Sequence, residues 1–92
     1  MNDIKNIIFT QQIKAARMLL AWDQVELASR ASVGVATLRR IEAHLGEASG
    51  SLSSVAKIVS ALECAGIEFL GPPDKQPGVR LNLEKSTGEP EA

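Results

Sequence analysis

Two short runs of helical periodicity, separated by only three residues, constrain the centre of this chain more than any other feature. Apolar residues recur at helical spacing in Leu27, Ala28 and Ala31 and again in Leu38 and Ile41, while Ser32-Val33-Gly34 breaks the pattern between them. The spacing predicts one helix over about Gln24–Ala31 and a second over about Val35–Ala43. Asp23 reads as the cap of the first: its carboxylate can accept the orphan amide protons of an opening turn, and its charge suits the positive end of the helix dipole. Glu26, three residues on, completes an approximate capping box. Ala28 falls where the two helices would cross, and a larger side chain there would push them apart. Leu27, Ala31, Val33, Leu38 and Ile41 would then close one core, with Val35, Ala36, Thr37, Arg39 and Arg40 facing outward.

The flanks supply partners for that core. Thr10 reads as an N-cap with Phe9 as a staple before it, and Ile13, Ala16, Arg17 and Leu20 follow at helical spacing, so a helix is expected over about Gln11–Ala21. Ser51 is expected to cap a further helix whose buried stripe is Leu52, Val55, Ile58, Val59 and Leu62, and Gly66 to end it. Residues 44–50 form a loop of mostly small residues. Ile67-Glu68-Phe69-Leu70 and Val79-Arg80-Leu81-Asn82 alternate around a Gly/Pro-rich stretch, the pattern of a β-hairpin with a long loop. Strands this short must pack on the helices or pair with a second copy. The chain thus divides into a lead-in over 1–9, a helical domain over 10–66, a hairpin over 67–82 and a tail over 83–92 that is expected to be disordered.

Composition narrows the function classes. Ninety-two residues, 45% of them hydrophobic and 23% charged, make one small globular domain. One cysteine, Cys64, cannot form an internal disulfide, and no Cys/His cluster has metal-ligand spacing, so no metal site and no cofactor are expected. The apolar runs are too short for a bilayer and the first residues lack the layout of a signal peptide, so the expectation is a cytoplasmic protein with no membrane partner. No phosphate-binding glycine loop and no paired carboxylates for acid–base work are present, so the chain reads as no enzyme, with no small-molecule substrate. The net charge is −1, but its distribution is uneven. Between Thr10 and Leu45 five cations (Lys14, Arg17, Arg30, Arg39, Arg40) outnumber three acids (Asp23, Glu26, Glu42), while the rest of the chain carries five cations and eight acids.

From Trp22 to Glu42 the chain resembles the helix-turn-helix of XRE-family regulators, the Cro and phage-repressor type. The matching features are Gln24 opening the first helix of the pair, the Leu27-Ala28 pair, Val33 in the turn, and the run Thr37-Leu38-Arg39-Arg40-Ile41-Glu42. The resemblance extends over about Thr10–Gly66. It implies a mainly α fold: a compact four-helix lambda-repressor-like domain, here followed by the hairpin. It also implies roles. Gln24 matches a residue that touches backbone phosphate and supports the reading helix. Val35, Ala36, Thr37 and Arg40 match positions that face base edges, and Arg39 stands beside them within reach of a phosphate or a base. Ser51 matches a backbone phosphate contact, which suits a helix N-terminus. Arg17 and Glu42 match a structural ion pair. Two departures stand out: Ser32 occupies a position that is usually glycine, and Val35 and Ala36 are apolar where many members are polar.

The function so implied is a sequence-specific transcriptional regulator that binds double-stranded DNA through the major groove as a homodimer, with Phe69 and Leu81 as candidate dimer contacts. The alternative from the same residues is a protein-binding regulator, an antitoxin or antiactivator, that grips a partner protein through the apolar start of its reading helix and the hairpin edge. Plainer roles weigh against the remaining candidates. Trp22 fits a lid over the core, Cys64 a small apolar residue, and His44 a loop position.

Overall fold

Helix α1 (Thr10–Leu19) starts one residue earlier than its sequence predicts, because Gln12 rather than Thr10 organises its first turn. In the computed structural model, which describes residues 8–44, 46, 48, 51–71 and 76–85, Phe9 is the N-cap. Its amide donates to Gln12 Oε1 at 2.8 Å. Thr10 is no cap: it is buried, and its hydroxyl donates to the Ile41 carbonyl 31 residues away. The segment before α1 is also tied down, since the Thr10 amide donates to the Gly46 carbonyl and the Ala48 amide to the Ile8 carbonyl.

Helix α1 closes with Ala21 in the left-handed region (φ 58°), where the Ala21 amide reaches the Met18 carbonyl and the Trp22 amide reaches the Arg17 carbonyl. That is the double hydrogen bond of a Schellman end, usually made with glycine. Helix α2 (Gln24–Ala31) opens as expected, with the Glu26 amide donating to the Asp23 carboxylate at 2.8 Å. The reciprocal half of a capping box does not form, because the Glu26 carboxylate turns to Arg30 instead. Ser32, also left-handed at φ 58°, ends α2 in the same double-bonded way, through its own amide to Ser29 and the Val33 amide to Ala28. Three residues, 32–34, separate Ala31 from the start of helix α3 (Val35–Glu42).

Helix α4 (Leu52–Cys64) is capped by Ser51, whose Oγ accepts from the Ser54 amide at 3.0 Å. Its buried stripe is Ile58, Ala61 and Leu62, with Val55 packed at the margin. Leu52 is not part of it: at 85% exposure it projects from the first turn beyond the edge of the core. Gly66 follows α4 with φ 105°, a conformation that costs glycine nothing, and its carbonyl accepts from the Asn82 amide at 2.7 Å. Strands β1 (Ile67–Leu70) and β2 (Gly78–Leu81) pair antiparallel, with Ile67 opposite Leu81 and Phe69 opposite Val79. Those four face the helices, so the opposite face carries the Glu68–Arg80 ion pair. Leu83–Lys85 form one 3-10 turn, so residues 83–85, expected in the tail, have regular structure; residues 86–92 lie outside the described residues.

The described residues therefore form a compact, mainly helical unit of four helices with a small antiparallel hairpin after them. Helix α2 packs on α3 and α4, while α1 packs on α3, α4 and β2. Ile13, Leu27, Leu38, Ile41, Ile58 and Leu62 meet in the centre, each sealed from water. Among the described residues no helix is long and apolar enough to cross a membrane.

Candidate nucleic-acid interface

Helix α3 has a held side and a free side. On the held side Glu42 is buried with its carboxylate almost fully engaged. Arg17 approaches it fork-on, with Nε donating to Oε2 and Nη2 to Oε1, each at 2.9 Å. Gln24 Nε2 donates to the same Oε1 at 2.9 Å, and the remaining Arg17 nitrogen, Nη1, donates to the Trp22 carbonyl at 3.0 Å. A bidentate guanidinium–carboxylate pair is the strong form of this interaction, and two further groups, the Gln24 amide and the Trp22 carbonyl, orient it here. One knot thus fixes α1, the α1–α2 connection, the start of α2 and the end of α3. The expected Arg17–Glu42 pair is present, and Gln24 supports the end of α3 directly.

The free side carries Ala36, Arg39 and Arg40, all exposed. Thr37 is half-buried, and its Oγ1 accepts a long hydrogen bond, 3.5 Å, from Arg40 Nη2. Val35 departs from the expectation. It is half-buried and packs against the core rather than facing outward, as an apolar side chain in the first turn of a helix seated on that core does.

Charge pairing separates these arginines from the others. Arg17 is bound to Glu42, Arg30 to Glu26 and Arg80 to Glu68. Arg30 also lies over the Trp22 ring, 4.5 Å from its centroid, so that indole is held between the core and a cation. Arg39 and Arg40 have no carboxylate partner among the described residues. Two adjacent guanidinium groups on an exposed helix, with no carboxylate partner among the described residues, form the electrostatic arrangement that attracts an anion.

The remaining expected site residues fall elsewhere. Ser51 Oγ accepts from the Ser54 amide and donates to Ser54 Oγ at 2.8 Å, so its hydroxyl serves the helix start. Phe69 and Leu81 are half-buried against the protein's own core, which commits much of their apolar surface within the single chain. His44 is exposed, and Cys64 is half-buried rather than fully enclosed.

Gln12 is the residue that sequence reasoning missed. Its side chain is buried; Nε2 donates to the carbonyls of Leu70 (3.1 Å) and Gly78 (2.9 Å) while Oε1 takes the Phe9 amide. It thereby closes the loop end of the hairpin onto α1. The one local signal was a glutamine three residues after the true cap, the reciprocal half of a capping box. No protein-family model matches the chain, and no curated protein sequence does.

Proposed function

We propose that this protein is a DNA-binding transcriptional regulator of the lambda-repressor-like helix-turn-helix type, which lays α3 in the major groove and acts as a homodimer. The observation that carries the reading is the pair Arg39 and Arg40, exposed side by side on α3 with no carboxylate partner among the described residues. The three-residue connection between α2 and α3 and the buried Arg17–Glu42–Gln24 knot support it, since a reading helix must be held rigidly from behind. Such a helix enters the major groove, and a dimer would read two half-sites about one helical turn apart.

Replacing Arg39 and Arg40 together by alanine tests the reading. The expected outcome is loss of duplex binding with an unchanged thermal midpoint. Unaltered DNA affinity in that variant would remove the basis for the assignment. Sedimentation at rising protein concentration tests the dimer, and monomer throughout would count against it.

A second reading is favoured by exposed apolar side chains around the α1–α2 connection, namely Met18, Leu19 and Val25, at 68%, 49% and 58% exposure. In that reading the chain grips a partner protein. A hydrophobic interface is insensitive to salt, whereas phosphate contacts weaken steeply as counterions compete, so a salt titration separates the two.

A further inference from the structure

The free side of α3 has a centre and two flanks, and only one residue in the centre can hydrogen-bond to a base. At about 100° per residue, Ala36 and Arg40 lie one turn apart on the row opposite buried Leu38 and Ile41. Exposed Ala43, with helical backbone angles, continues that row. Arg39 lies to one side of it and Thr37 to the other. The two alanines end at a methyl group, so they let the helix approach closely and leave Arg40 as the one long side chain on the central row. Thr37 Oγ1 lies 3.5 Å from Arg40 Nη2, a long contact on the exposed surface.

The chemistry of these groups selects a base. A guanidinium is a fork of donors with no acceptor, so it matches an edge that offers two acceptors. In the major groove that edge is guanine O6 and N7. Adenine offers one donor and one acceptor there, and its usual readers are asparagine and glutamine. Helix α3, Val-Ala-Thr-Leu-Arg-Arg-Ile-Glu, contains neither. A methyl at Ala36 complements the C5 methyl of thymine.

Resting on the DNA-binding reading above, we infer that Arg40 is the specificity-determining residue. It reads a guanine, while Ala36 lies against the methyl group of a neighbouring thymine. Arg39, off the central row, neutralises a phosphate and carries no base preference. The half-site so read is built on guanine and thymine methyl contacts, with no bidentate amide contact to adenine.

The experiment is a selection with the full chain on a pool of randomised duplexes, followed by anisotropy titrations of the winning duplex. The expected winner contains a guanine with a thymine beside it in each half-site. Replacing that guanine by 7-deazaguanine, which removes N7, should weaken binding, as should uracil in place of the thymine; 7-deazaadenine elsewhere should have no effect. Arg40→Ala should lose about 5- to 150-fold of the preference for the winning duplex over one with A·T at that position. Arg39→Ala should instead weaken winning and scrambled duplexes alike and lower the salt slope by about one. Unchanged far-UV circular dichroism would show that both variants fold. A winner without guanine, tolerance of 7-deazaguanine, or a retained preference in Arg40→Ala overturns the inference while leaving DNA binding in place. Failure to bind any duplex at low salt overturns both.

Discussion

The two sides of α3 carry charge in opposite conditions. On the inner side, Glu42 sits 5% exposed inside a knot of Arg17 and Gln24. On the outer side, Arg39 and Arg40 are exposed and no described carboxylate answers them. The difference separates charge used to hold the fold from charge left available to a partner. An arginine beside a buried carboxylate has its donors satisfied and its geometry fixed, and it adds little field outside. An arginine without a partner keeps its donors for whatever anion arrives. A single eight-residue helix is therefore anchored by one face and left exposed on the other, with both conditions met by ordinary side chains.

Breaking the inner side should have the largest effect. Glu42→Ala leaves the Arg17 guanidinium in a largely enclosed site with no counter-charge, and should destabilise the fold by about 3–5 kcal/mol in chemical denaturation. If its cost were no greater than that of Arg40→Ala, the distinction between the two sides would collapse. Next comes Gln12→Ala, which orphans the Phe9 amide and the Leu70 and Gly78 carbonyls together. It should cost about 1–3 kcal/mol, with the loss of amide-exchange protection concentrated in β1 and β2. Uniform loss of protection along the chain would contradict the clamp.

A gain is expected at the turn. Ser32→Gly and Ala21→Gly each relieve a left-handed conformation at φ 58°. The steric relief exceeds the extra chain entropy of glycine, so each should stabilise by about 0.5–1 kcal/mol. A lower thermal midpoint in both variants would contradict the strain at these two turns. The smallest change in stability is expected outside: Arg39→Ala and Arg40→Ala should stay within about 0.5 kcal/mol of the parent. A larger loss would mean that these side chains hold the fold, and that α3 has no free side.

What was legible in the sequence follows the range of the interactions. Asp23 caps α2 through an amide three residues away, and Ser51 caps α4 the same way, so both could be read locally. The break at Ser32-Val33-Gly34 was legible because it interrupts a period. Thr10 was misread because a threonine before an apolar period looks like a cap, whereas its bond runs to Ile41. Gln12 was missed because its carbonyl partners lie 58 and 66 residues along the chain. Leu52 continues the helical stripe of α4, but periodicity does not show where the core ends, and the first turn of α4 extends past it. The spacing of its neighbours places Val35 outward, while the core contact that half-buries it depends on how α3 is seated in the assembled fold. The sequence points to the outer arginines, but that no described carboxylate pairs with them depends on which acids the fold brings near.

On the DNA-binding reading, the outer face of α3 offers DNA phosphates two arginines that have no carboxylate partner among the described residues. The direct test is fluorescence anisotropy of a labelled random-sequence duplex titrated with the protein at low and then moderate salt. Binding is expected at low salt, with an affinity that falls steeply as salt rises, because cations compete for the phosphates. Absence of binding at low salt, or an affinity indifferent to salt, would contradict it and turn attention to a protein partner.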